Sequence, residues 1–173
     1  MEKHDMEQEK KISYTIKDFL PLTVISIIVV VITIIKQAIC GFEMSSAMYD
    51  FMGSYFIIFG TFKIINLKGF AEAYSTYDII AKRFIFYAYM YPFLELLLGI
   101  LYFFRIQLLA ANYVTLFLMV ISSIGVANEL AQKKTIMCAC LGVVFKIPMT
   151  YVTFAEDIIM ALMALIMLLY GHF

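Results

Sequence analysis

"IFYAYMYPFLELLLGILYFF", residues 85–104, is an unbroken apolar run with a single charged residue, Glu95. About 20 mainly apolar residues are needed for a helix to cross the hydrocarbon of a bilayer, and this stretch meets that length. Its apolar residues follow one another without a two-residue alternation, so it reads as a membrane helix and not as a strand of a closed barrel. Two of its residues are out of place on a lipid-facing helix. Pro92 removes a backbone donor and is expected to kink the helix. Glu95 is costly in hydrocarbon unless it is paired or protonated, so it is expected to face the interior of a helical bundle. The expected partner is Lys63, in IIFGTFKIIN, with Asp157 as another polar group at similar depth. Such a set fits two roles: a structural ion pair that fixes helix register, or a relay for protons or cations.

Four further stretches approach the spanning length: Phe19 to Ile39, Phe51 to Asn66, Tyr113 to Leu130 and Val152 to Tyr170. The composition agrees, since 64% of the 173 residues are hydrophobic and the mean hydropathy is +0.92, well above the roughly half apolar content of soluble domains. An all-α integral membrane protein is expected, with a polar leader over residues 1–17 and one transmembrane helical domain over residues 18–173. The first span follows a mixed-charge leader, its apolar run is long, and no small-residue cleavage pattern follows it, so it reads as an anchor helix and not as a secretory signal. Membrane lipids are therefore expected contacts, and nucleic acid is not an expected partner. His4 and Met6 in the leader read as residues of a solvated tail.

Net charge is zero, but the positive charges are unevenly placed. Of the 13 Lys and Arg, all except Lys36 and Arg105 fall in the leader, at the inner end of span two and in the connection that follows it, or in the connection before span five. The positive-inside rule then puts the N-terminus in the cytoplasm and the C-terminus outside, as for a multi-pass protein of a bacterial inner membrane. Between spans two and three, LKGFAEAYSTYDIIAKRF is too polar to cross. Phe70, Tyr74, Tyr77 and Ile80 or Ala81 recur at helical spacing opposite Glu72, Asp78 and Lys82, which predicts an interfacial helix with its tyrosines at headgroup depth.

Two of the three cysteines, Cys138 and Cys140, stand one residue apart in CACLG. One intervening residue lets both sulfurs reach one soft ion such as Cu(I), or close a small, easily reduced disulfide. Two packed, inert thiols are the third reading. The flanking Lys133, Lys134 and Lys146 favour the thiolate. Gly142 and Pro148 predict a tight loop or re-entrant turn at the inner surface. Cys40 falls on the opposite side of the membrane, about 30 Å away across a span, too far to pair with either within one chain. The 12 methionines cluster: Met44, Met48 and Met52 follow Cys40 at four-residue steps, and Met160, Met163 and Met167 share a face of the last span. Thioethers are soft ligands as well as flexible core fillers, so Met44, Met48 and Met163 are candidate metal ligands only if Cys138 and Cys140 bind metal. No phosphate-binding glycine loop and no Ser/His/Asp set is present, so any catalytic chemistry lies in the thiols or the membrane carboxylates.

With these elements placed, the chain resembles the MauE/DoxX group of redox-associated small membrane proteins. The resemblance runs through FMGSYFIIFGTFKIINLKGFAEAYSTYDIIAKRF, YAYMYPFLELLLGI, SSIGVANELAQKK and CACLGVVFKIPMTYVTFAEDIIMALMALIML, and covers about residues 45–170. It implies a DoxX-like four-helix transmembrane bundle in spans two to five, with the first span as an added N-terminal helix. MauE-type proteins are associated with methylamine utilisation and with disulfide acquisition by a partner dehydrogenase. The C-G-C-F-G element of that family looks like Cys138-Ala139-Cys140-Leu141-Gly142, which implies a thiol redox role for Cys138 and Cys140. Ala139 for Gly and Leu141 for Phe are departures that keep both sulfurs but put the shape of the turn in doubt. Similar proteins carry a heavy-metal-associated domain ahead of this membrane region, which implies the alternative of copper or mercury handling or transport. A redox or metal-carrier partner protein, and a homo-oligomer, are consistent with either reading.

Overall fold

The structure, a computed structural model, describes residues 20–131 and 151–170. All regular structure among them is helical: α1 (Leu20–Cys40), α2 (Met44–Ile65), α3 (Leu67–Tyr74), α4 (Ile85–Phe104), α5 (Leu108–Ala131) and α6 (Tyr151–Tyr170). By length and composition α1, α4 and α5 are each able to cross a membrane. They expose Ile, Leu, Val and Phe along their outer faces, as a surface solvated by lipid tails does.

Helix α2 is the interior helix. It starts seven residues before the expected span, because Met44 to Asp50 is polar enough to suggest a loop and yet is helical. Its Ser46, Asp50, Ser54 and Lys63 are buried by neighbouring helices, so they meet protein groups and not hydrocarbon. Helices α2, α4, α5 and α6 contact one another in a ring, and α1 packs from outside on α2, with Lys36 Nζ reaching to 4.0 Å from the centre of the Phe103 ring of α4. Leu22, Ile25 and Val29 form the buried face of α1, with Leu22 and Ile25 gathered against Phe59 of α2.

The α2–α4 seam depends on small residues. A Cβ placed on Gly99 would sit 2.7 Å from Ile57 Cγ1 and 2.9 Å from the Ile57 amide nitrogen, so only glycine allows this approach. Gly53 faces it, with Gly99 O 3.3 Å from where its own Cβ would be. Close backbone approach of this kind replaces the hydrophobic drive that lipid removes. Pro92 lies buried inside α4, which continues through it to Phe104.

The connection from α2 to α4 departs from expectation. Helix α3 ends at Tyr74, and the chain then turns through Ser75 to Phe84 without extending the helix. Phe70, Tyr74, Tyr77 and Ala81 are all buried, so the aromatic face packs into the bundle core and does not lie open at headgroup depth. Asp78, expected on the polar face, is fully buried too. Its Oδ1 accepts from the amides of Ile80 and Ala81 at 2.9 and 2.8 Å, and its Oδ2 accepts from the Tyr74 hydroxyl at 3.0 Å. The carboxylate closes the turn, which is why the segment stops being helical there. Burial, and after it the neighbouring Tyr91, pushes the Tyr74 phenol well above its ordinary range, so it remains a neutral donor to Asp78.

Candidate functional site: a buried polar chamber

Helices α2, α4, α5 and α6 each send polar groups into the middle of the ring. Lys63 of α2 donates to both carboxylate oxygens of Glu95 on α4, at 2.5 and 2.6 Å. Both side chains are almost wholly buried. The ammonium also lies 5.1 Å from the centre of the Tyr91 ring and 5.5 Å from that of Phe70, so aromatic faces replace the water it loses.

Asp157 of α6 lines the same chamber, and its Oδ2 accepts from Ser122 of α5 at 2.7 Å. Consecutive residues on a helix point about 100° apart, so Glu156 faces another way. Its Oε2 accepts from the Tyr55 hydroxyl of α2 at 3.2 Å. Tyr55 stacks on Phe59 with ring centres 4.1 Å apart and forms part of the wall between the chamber and the outside of the bundle. The chamber encloses about 30 Å³ beside Lys63, Glu95 and Asp157, room for about one or two water molecules. It gathers carboxyl, ammonium and hydroxyl groups, the groups that hold or pass a proton, inside an aromatic shell.

A second polar cluster, absent from the sequence-based expectation, closes the opposite end of the bundle. Asp50 of α2 is fully buried and accepts from Lys36 Nζ at 2.7 Å, Gln37 Nε2 at 2.8 Å and Arg105 Nη2 at 3.3 Å. Ser46 accepts from the same arginine at 2.6 Å. The two cations left over by the charge count thus share one carboxylate. The available signal is that a lone acid and a lone base in neighbouring apolar runs each need a partner.

The described methionines are packed, except for Met44 and Met90. Met52, Met160 and Met167 are in the hydrophobic core, Met48 and Met163 pack against it, and Met44 is exposed. No group of three or more His, Cys, Asp or Glu residues able to hold a metal occurs among the described residues. Cys40 is a free, exposed thiol at the end of α1. Cys138 and Cys140 lie outside the described residues. The helix ends that flank them are described: Ala127, Leu130 and Ala131 of α5 border one hollow with Phe154 of α6. Glu129 beside them accepts from Lys82 at 2.7 Å, so this is the Lys82 end of the bundle.

Comparison with known proteins adds one match. Residues 43–170 fit the family described as Methylamine utilisation protein MauE. No curated protein and no solved structure matches the chain.

Proposed function

We propose, since this chain belongs to the MauE family, that it is a membrane protein whose Cys138 and Cys140 carry out thiol–disulfide exchange in support of a partner protein's maturation. The observation that carries the reading is the match itself, which spans both cysteines and the whole ring α2, α4, α5 and α6. The ring is also what supports a DoxX-like four-helix arrangement with α1 as the added helix. The meeting of α5 and α6 at the Lys82 end supports a placement of CACLG at that end. Positive-inside logic puts that end in the cytoplasm of a bacterium, with the C-terminus outside its inner membrane.

The exchange is a two-step displacement. A thiolate of the partner attacks one sulfur of an oxidised Cys138–Cys140 pair, forming a mixed disulfide and releasing the other sulfur as a thiolate. The partner's second thiolate then displaces the remaining bond, which leaves the partner oxidised, and the pair takes up the two protons the partner lost. Flanking Lys133, Lys134 and Lys146 favour thiolates. Lys63, Glu95 and Asp157 serve as structural or proton-handling support.

The test is alkylation of Cys138 and Cys140 in intact cells with membrane-permeant and impermeant reagents, before and after reduction. Protection from both reagents until reduction supports the redox reading. Labelling by the permeant reagent alone, blocked by copper, would replace it with soft-metal binding by the same two thiols.

A further inference from the structure

Among the described residues the basic side chains are paired, with one exception. Lys36, Lys63, Lys68, Lys82 and Arg105 each have a carboxylate oxygen within 4.0 Å. Arg83 has none among the described residues, and it is exposed. Ile79, Phe84, Ile85 and Phe86, on either side of it in the chain, are exposed as well, Phe84 by 64% and Phe86 by 71%. An unpaired guanidinium set among large exposed apolar side chains suits neither open water nor hydrocarbon. It suits the layer between them, where the apolar side chains enter the acyl region and the cation stays with the headgroups.

The backbone around Arg83 is fixed. The Lys82 amide donates to the Asp78 carbonyl at 3.0 Å, and the amides of Arg83 and Phe84 both donate to the Ile80 carbonyl, at 3.0 and 2.9 Å. Helix α4, which is long and apolar enough to cross a membrane, starts two residues later at Ile85. Arg83 is therefore held at the level where α4 enters the hydrocarbon. Lys82 beside it directs its ammonium to Glu129, which leaves Arg83 as the uncompensated charge of this turn. Its planar fork of donors can engage two oxygens of one phosphate. The exposed Phe84 and Phe86 are of use to a ligand with acyl chains and of none to a free anion. A zwitterionic headgroup brings a cation of its own, whereas an anionic one brings the single negative charge that Arg83 lacks. We propose that the Arg83 turn at the start of α4 binds the phosphate of an anionic phospholipid, whose acyl chains run along the apolar side chains that follow.

The site uses neither the thiols nor the chamber, so it stands or falls apart from the function proposed above. The full chain is placed in phosphatidylcholine nanodiscs that contain a small share of photoreactive phosphatidylglycerol, and the adducts are mapped by mass spectrometry. Saturable labelling of residues 79–86 is expected, displaced by unlabelled phosphatidylglycerol and weakened by salt. Arg83→Gln lowers that labelling about fivefold, the effect of one basic residue at an anionic surface. Arg83→Lys, which keeps the charge and loses the fork, retains part of it. Both variants melt with the parent in phosphatidylcholine alone, because Arg83 gives the described fold no ion pair to lose. Equal labelling of residues 79–86 by a photoreactive phosphatidylcholine, or labelling indifferent to Arg83→Gln, would overturn the proposal. So would a lowered melting temperature in Arg83→Gln, which makes Arg83 a residue of the fold. Displacement of the lipid by inorganic phosphate would overturn it too, by making the turn a site for a small soluble anion.

Discussion

Lys63 and Glu95 meet across the α2–α4 seam with both carboxylate oxygens engaged, at 2.5 and 2.6 Å, and with almost no exposure of either side chain. Taking both charges out of water costs nearly as much as their attraction returns, whereas removing one leaves the other stranded. Lys63→Met and Glu95→Leu, made singly, should each destabilise the folded bundle by about 3–5 kcal/mol. The double variant should recover most of that loss. Thermal unfolding in detergent micelles checks this, and a double variant as unstable as the sum of the singles would show that the chamber needs its charges for more than mutual neutralisation.

The glycine contact along the same seam gives a steric prediction. Gly99→Ala puts a methyl 2.7 Å from Ile57 Cγ1 and 2.9 Å from a backbone nitrogen, and the backbone is the part that cannot give way. A cost of about 1–3 kcal/mol is expected, the usual range for overpacking. Gly53→Ala, whose nearest contact is 3.1 Å to the Phe103 amide nitrogen, should cost less. The order of the two melting temperatures is the check, and a Gly99→Ala protein as stable as the parent would mean that α2 and α4 do not approach this closely.

Much of the helical order is legible in the sequence, because hydrocarbon imposes a length and a composition that few other environments do. The run 85–104 is α4 residue for residue, and α1 is displaced by one residue from the expected Phe19 to Ile39. The beginning of α2 is not legible, since hydropathy assigns Ser46 and Asp50 the cost of facing lipid when they face protein. Asp78 misleads for the same reason: its polarity suggests an exposed face, yet its oxygens are fully engaged by a turn. Lys63 and Glu95 are legible as partners because each is a charge that a span has to neutralise. Glu156 is not singled out beside Asp157, because which of two adjacent carboxyls turns outward depends on helix rotation, and rotation is set by packing.

The Asp50 cluster ties α1 to the bundle at the end where α1 otherwise has little hold. Lys36 and Arg105 are partly exposed, so their share of the energy is discounted by solvent screening. Buried Asp50 also orders Gln37, which in turn accepts from the Glu43 amide at 3.2 Å and braces the turn between α1 and α2. Asp50→Ala should leave the ring folded while loosening this turn. Limited proteolysis near residues 41–43 should accelerate several-fold, with little change in the main melting transition. An unchanged cleavage rate would mean that the apolar contacts of Leu22, Ile25 and Val29 hold α1 without help.

Asp78 holds the turn after α3 through hydrogen bonds from two amides and the Tyr74 hydroxyl, those of Ala81 and Tyr74 buried and that of Ile80 half-buried. Gly125 of α5 lies directly beneath, where an added Cβ would meet the Tyr77 carbonyl oxygen at 2.8 Å. The turn therefore seats against α5 as well as closing on itself. Asp78→Ala strands the buried Ala81 N–H, at about 1–3 kcal/mol for an unsatisfied buried group, and the half-buried Ile80 N–H at less. Tyr74→Phe removes one donor and leaves Asp78 its two amides, so about 1 kcal/mol is expected. Hydrogen exchange of the Ile80 and Ala81 amides separates the two variants: fast exchange in Asp78→Ala and near-parental protection in Tyr74→Phe. Equal exchange in both would place the hold on this turn in the packing of the Tyr74 ring and not in the carboxylate.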